Sequence, residues 1–546
     1  MRLLSVFLIS ACLLLPLALG GILSAVHRPP AYNAYAEPLS PAPRVEEPLR
    51  GLRVTENGAF LADGGFSSHL PVVILDTGDV RPPVSTHLLG EEDRYVAIEG
   101  LDPYVAGSLR ILDSGGLNRL GDEAAVVTPM RLKRRGNSSM FHEKGHYLLK
   151  TVTESGGDRM LPLLGMAPEA EWVLNGSNAD SSLMRNYLAY RIAAQVISFT
   201  PNAKYCEVLY HENGAYHYEG VYLLTESIRQ GEGRIDIPDY KSTDPFPPYI
   251  VRRDRYDENA LILNTYATEN ALSVKYLGLI YPNPRVATAE TVDYVASDLS
   301  RIERVLYAES YSVFSTYPQY IDVDSFVDYF LINEFLGSYD AGWHSTYMYK
   351  SPGGKLKIGP VWDFDNALDN YVDEPLDVDV TAFQTRPWFD RLTRDLTFLR
   401  RLEQRYAELR SGPLSDESFI AMVGAVEAHL GPAVSREWFR WEHVYASDEA
   451  YKAVWQDDWG TVSIHLSMAP YIDGAGDVIT RDTDEYRQEL YRLKTSITRH
   501  GNAIGPRLEL LRLSTTVRTG IHGRMELLLF IVLLAFSIPV LRATRK

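Results

Sequence analysis

Two cysteines serve 546 residues. Cys12 lies in an apolar run near the N-terminus and Cys206 stands alone in the rest of the chain. No disulfide framework and no thiolate metal site can form within it. Positive charge is also scarce: 54 Lys and Arg face 71 Asp and Glu, a net charge of −17. A chain this acidic offers no broad basic face to a nucleic-acid backbone, so no nucleic-acid partner is expected. A nucleotide asks for less, only local positive charge and a cation. G-x-G-x-x-G and G-x-S-x-G are missing, and with them the glycine-rich phosphate loop and the serine-hydrolase elbow. No internal repeat or long low-complexity tract appears. Tyrosine, by contrast, is abundant at 34 residues, and a hydrophobic content of 45% supports a sizeable core.

The informative stretch runs from Asn333 to Tyr371, NEFLGSYDAGWHSTYMYKSPGGKLKIGPVWDFDNALDNY. Asp340 follows the apolar run Phe326–Phe335 in a Gly-flanked loop. Next come a strand-like Thr346–Lys350, a Pro-Gly-Gly turn at Ser351–Gly354 and a second strand-like Lys355–Val361, which together predict a β-hairpin. Trp362-Asp363-Phe364-Asp365-Asn366 comes directly after. A hairpin brings its ends together, so Asp340 and Asp363 are expected close in space. Like charges held together need a cation between them, or one keeps its proton. For a lone D-x-D the competing role is turn capping through side-chain hydrogen bonds.

The order decides between them. An Asp in a loop, a polar residue five positions on (Ser345), a hairpin, then Asp-Phe-Asp follows the protein-kinase order of D-x-x-x-x-N and D-F-G. Ser345 stands where a kinase has Asn, and Asp365 where it has Gly. The basic segment Arg131–Lys150 adds a candidate phosphate cradle to an otherwise acidic chain.

Further stretches carry the same likeness: Arg135-Gly136-Asn137-Ser138-Ser139 with Lys144 and Tyr147–Lys150, Leu164-Gly165-Met166 with Glu171–Leu174, Leu183–Asn186, and Glu219–Glu226. With the Asp340–Asp365 block they resemble, over roughly Leu70 to Arg512, the CotH-type atypical kinases (spore coat protein H family). The resemblance implies a secreted kinase that moves phosphate from ATP to Ser or Thr of cell- or spore-surface proteins. It implies an α+β, two-lobed kinase-like fold, β-rich at the N-terminal side and helical at the C-terminal side. Asp340 would be the base, and Asp363 would hold Mg²⁺ (or Mn²⁺) with Ser345 or Asp365. Lys150 would meet the ATP phosphates, with Lys144 and Arg135 as further candidates. Glu226 would touch the nucleotide or pair a lysine. Asp180–Val196, carrying Arg185 and Asn186, would be the helix beside the nucleotide.

The remaining chain divides by composition. The apolar run Leu3–Val26 predicts a signal peptide or signal anchor over residues 1–29. A Pro/Ala-rich linker follows over 30–50, then a β-rich module over 51–130 and the kinase-like domain over 131–512. A transmembrane helix over 525–542 ends in Arg542, Arg545 and Lys546. Two hydrophobic ends place the main domain outside the cytoplasm, held to the membrane. Competing readings are a pseudokinase or adhesin, which needs only the fold, and a glycosyltransferase, whose D-x-D would hold a sugar nucleotide through a metal. The second lacks a dinucleotide-type βαβ pattern.

Overall fold

Alternation of side chains along one strand shows how the β-rich half is built. In Val126–Arg134, Met130 and Leu132 are fully buried while Arg131 and Lys133 face the other way, the two-residue period of a strand with two different faces. The same alternation recurs in its neighbours. The computed structural model describes residues 35, 38–45, 47–89, 94–257, 260–272, 276–370, 381–445 and 485–519, with four short strands between 453 and 479. The expected terminal membrane segments lie outside the described residues, as do residues 371–380. Among the described residues no single helix is long and apolar enough to cross a membrane.

Nine strands form the large sheet: β1 (Leu52–Val54), β2 (Phe60–Ala62), β3 (Val72–Asp76), β4 (Val105–Leu112), β5 (Val126–Arg134), β6 (Tyr147–Thr151), β7 (Glu171–Asn175), β8 (Ala203–Glu212) and β9 (Ala215–Glu226). Their order is β1-β2-β9-β7-β6-β5-β4-β3-β8, and β8 also pairs with β9. That last pairing closes seven strands into a ring, which leaves no open edge among them. The ring's interior is filled by Val73, Leu75, Leu109, Met130, Leu132, Leu149, Trp172, Cys206 and Leu224. The β8–β9 turn carries positive φ at both Asn213 and Gly214, as the Asn-Gly pair predicts for a tight hairpin. Strands before and after residue 130 share this ring, and β5 runs through the expected boundary. Residues 51–130 therefore share their main sheet with the strands that follow, and only two small two-stranded pairs, Ser67–Ser68 with Asn118–Arg119 and Thr86–Leu89 with Arg94–Ala97, lie wholly within them.

A second sheet has the order β11-β12-β10-β13-β14, all antiparallel: β10 (Tyr249–Asp254), β11 (Leu261–Leu263), β12 (Tyr276–Tyr281), β13 (Thr346–Lys350) and β14 (Lys357–Ile358). Lys355–Val361 shrinks to the two residues of β14, because Leu356 pairs with Tyr320 and Ile321 instead, and beyond Gly359, whose amide still donates to the Tyr347 carbonyl, Pro360 has no amide to carry the ladder on.

The helices are α1 (Arg185–Ala193), α2 (Ala289–Leu306), α3 (Val323–Phe335), α4 (Leu396–Arg410), α5 (Asp416–Leu430), α6 (Pro432–Tyr445) and α7 (Tyr486–Thr519), besides short turns. Asp322 caps α3 by accepting from the Ser325 amide at 3.1 Å. Most of α3 is buried, including Phe326, Phe330, Leu331 and Ile332, so it runs through the main core. Helix α7 packs on α3, α4 and α5, and α6 lies on β9. The chain is thus mixed α+β, β-rich first and helical last.

Candidate functional site

The two ends of the β13–β14 hairpin do converge. Asp340 lies in the loop after α3, and Asp363 five residues after β14. Burial pushes the Asp363 carboxyl up to about 6, with the Asp340 charge the next cause. Burial also raises Asp340, while Arg255, the Asn366 amide and Arg386 pull it back. Ser345 Oγ donates to Asp363 Oδ2 at 3.3 Å, and Asn366 Nδ2 donates to Asp340 Oδ2 at 3.2 Å. The two segments are thus tied across the hairpin from both sides. Ser345 and Asp363 have φ of +48° and +69°, the left-handed region that non-glycine residues rarely occupy. Such strain persists only where the surroundings hold it, and it gathers at functional sites.

Asp365 faces elsewhere. Asn186 on α1 donates to its carboxylate and accepts from the Phe364 amide at 2.9 Å. Burial and the Asp363 charge hold its carboxyl well above the usual range.

The backbone just beyond is clamped by two buried arginines. Arg185 donates to the Ala367 carbonyl at 3.0 Å and the Leu368 carbonyl at 3.2 Å. Arg492 on α7 donates to the Asp369 carbonyl and, at 3.1 Å, to Asn370 Oδ1. Glu489 binds both, 2.6 Å from Arg185 and 2.8 Å from Arg492, and Asp180 holds Arg185 at 2.6 Å. These two cations hold the Glu489 carboxyl down at about 2 despite burial. Leu368 and Asp369 also have positive φ, so a strained turn is pinned at four consecutive residues.

The expected phosphate cations separate. Arg135 stays with the acids: its guanidinium lies 5.4 Å from the Trp362 ring, and its charge lowers both Asp363 and Asp365. Lys150 on β6 pairs with Glu171 across the strand pair at 3.2 Å, both partly exposed. Lys144 is elsewhere. Its fully buried ammonium donates to Glu437 on α6 at 2.5 Å and to the Val221 carbonyl at 2.7 Å, which leaves no open face for a ligand. Gly220 makes room for that pair: with φ +103°, any side chain there would run into Glu437. Glu226 is buried and accepts from the Asn202 amide at 2.9 Å and its side chain at 3.0 Å. Burial raises its carboxyl, with Arg234 opposing, and it meets neither lysine.

Asp254, at the end of β10, was not expected. Its charge raises both Asp340 and Asp363, and it pairs with Arg252 at 3.1 Å. Only a strand ending in Arg-Arg-Asp marks it in the sequence. One metal motif also escaped the sequence reading: His142-Glu143-Lys144-Gly145-His146 spells H-E-x-x-H. A zinc protease needs both histidines on one helical face. Here His142 is extended, Tyr147 already begins β6, and Glu143 turns to His443 at 3.0 Å. The motif is therefore incidental.

Among the described residues no group of three or more His, Cys, Asp or Glu side chains has the geometry of a metal cage. Mg²⁺ does not ask for one, since it takes one or two carboxylates and completes its shell with water and phosphate oxygens. Buried Asp363 and Asp340, pressed together with Ser345 beside them, suit a cation brought by a nucleotide.

The CotH kinase protein family matches residues 132–463, more than half the chain, including Arg135, Asp340, Ser345, Asp363 and Asp365. The chain belongs to that family. No curated protein matches it. Membership makes it a protein of a kinase-type family whose members use ATP and a divalent metal in general, and both ends of the CotH match lie in strands described above.

Proposed function

We propose that the chain is a Mg²⁺-ATP phosphotransferase that modifies Ser or Thr hydroxyls of surface proteins, from a domain held outside the cytoplasm by its hydrophobic ends. The observation that carries this reading is the meeting of Asp340 and Asp363 across the hairpin, in the kinase order, within a CotH family domain. The arrangement also suits a kinase-like division of labour between a β-rich and a helical half. Asp340 accepts the proton of the acceptor hydroxyl. The freed oxygen attacks the terminal phosphorus of ATP, the P–O bond to the departing diphosphate breaks, and ADP leaves with that electron pair. Arg255, Asn366 and Arg386 favour the ionised form of Asp340 that this step needs. Asp363 and Ser345 would hold Mg²⁺, whose charge when bound would offset that of the phosphate oxygens. Asp365, engaged by Asn186, orients this turn more than it reaches a ligand. Arg135 places positive charge beside the acids, and Lys150 stands farther along the same barrel face.

The test is transfer of labelled phosphate from ATP by the full chain with Mg²⁺ or Mn²⁺, beside Asp340→Asn and Asp363→Asn. Wild-type transfer that both variants lose supports the assignment; equal transfer by Asp340→Asn overturns it. A second reading, a pseudokinase or adhesin, draws on Ser345, a shorter side chain where kinases place Asn. It gains if ATP binds and no transfer follows.

A further inference from the structure

One cation on the barrel's outer face stands uncommitted. Residues 131, 133 and 135 share that face, because the ladder continues past β5 through the Arg135 amide, which donates to the His146 carbonyl at 2.9 Å. Arg131 is 3.6 Å from Asp102 and Lys150 is 3.2 Å from Glu171. Lys133, half-buried, has no carboxylate within ion-pair distance among the described residues. Its ammonium lies 5.2 Å from the Tyr104 ring, with Arg131 at 4.6 Å and Lys150 at 6.0 Å from the same ring. Three cations around one ring, with a fourth at Arg135, form a local excess of positive charge in an acidic chain.

That excess adjoins the acidic pair by two routes. Arg135 acts on Lys133 from one side and on Asp363 from the other. The segment 254–257 does the same: Asp254 acts on Asp340 and Asp363, while Asp257 acts on Lys133. Two residues apart on one strand, Lys133 and Arg135 stand roughly 6.5–7 Å apart along the chain. A chain of two or three phosphates spans that interval. Burial lowers the Lys133 ammonium most; Glu171 opposes it, and the neighbouring Lys150 and Arg135 lower it further.

We propose that Lys133, with Arg135, is the principal phosphate-binding cation of this chain, seating the polyphosphate whose metal-facing end lies at Asp363. This assignment rests on the phosphotransferase reading and names the side chain that reading requires. Lys150, already neutralised by Glu171, plays the lesser part.

The experiment is calorimetric titration of the full chain with MgATP and, separately, with Mg-tripolyphosphate. Lys133→Ala should weaken both about 10–100-fold, the loss of a charged hydrogen bond. Lys133→Arg should restore binding to within about threefold, since it keeps the charge and the stem. Lys355→Ala, in the exposed hairpin turn, serves as the control and should bind as wild type. A thermal melt checks that each variant is folded, and Lys133→Gln replaces Lys133→Ala if the latter is not. Wild-type affinity for both probes in a folded Lys133→Ala or Lys133→Gln overturns the proposal. If the wild type binds tripolyphosphate through Lys133 but not MgATP, the cation assignment stands and the nucleotide reading falls. Binding of neither probe to the wild type overturns both.

Discussion

Ser345 and Asp363 meet at 3.3 Å across the base of the hairpin, each with its backbone in the left-handed region. A serine hydroxyl donates one hydrogen bond there, where a kinase would present an amide. Asparagine tolerates this backbone conformation better than serine does.

Ser345→Asn is therefore expected to keep or raise phosphotransfer, with no loss of thermal stability. Steady-state transfer of labelled phosphate and a thermal melt check it. A marked fall in activity would mean that position 345 serves the site only as a short spacer.

Asp340→Asn keeps shape and hydrogen bonding but removes the base. Turnover should fall roughly 10²–10⁴-fold, typical of losing a positioned acid–base group. Nucleotide affinity in the presence of Mg²⁺ should hardly change, as titration calorimetry will show. If turnover and affinity fell together, Asp340 would belong to the binding shell instead.

Asp363 should leave a signature in stability. Its carboxyl is raised in the folded protein from 3.8 to about 6, so the folded state binds the proton more tightly than the unfolded one. The associated stability is present below pH 4 and is lost as pH rises through 6. Asp363→Asn removes the buried charge, so its melting temperature at pH 7 without metal should exceed that of wild type. The two should converge near pH 4, while Mg²⁺-dependent nucleotide binding is lost in the variant. An unchanged pH profile would show that Asp363 is neutralised by other means.

The two lysines of the family motif should part company. Lys144→Met leaves Glu437 buried without its cation and should cost roughly 3–5 kcal/mol, read by chemical denaturation. Lys150→Ala breaks a partly exposed pair, so stability should move by about 1 kcal/mol or less, while MgATP binding weakens less than in Lys133→Ala. A Lys144→Met protein of wild-type stability would contradict the buried pairing.

Glu489 links α7 to the turn after Asp365. Glu489→Gln removes a carboxylate shared by Arg185 and Arg492, so stability above pH 4.5 should fall. Because the wild-type group titrates at about 2, the difference should narrow as pH drops from 4.5 toward 2. If the clamp holds the site, the Mg²⁺ concentration needed for half-maximal transfer rises as well.

The hairpin, the nearness of Asp340 and Asp363, and the basic segment Arg131–Lys150 were legible in the residues. Turn chemistry and strand alternation act over a few positions, so a short stretch suffices to read them. The helical α3 leading into the Asp340 loop, and the β8–β9 hairpin, were legible for the same reason. Tertiary structure alone decided that Lys144 is sealed against Glu437 and that Asp365 belongs to Asn186. The same holds for Asp254, which joins the acidic pair from the end of the adjacent strand β10, and for Glu489, which anchors the turn from the far end of the chain. It also decided that His142 and His146 share no helical face. Burial and ion pairing depend on what distant segments bring to a side chain, and desolvation is what turns a lysine from a ligand into a strut.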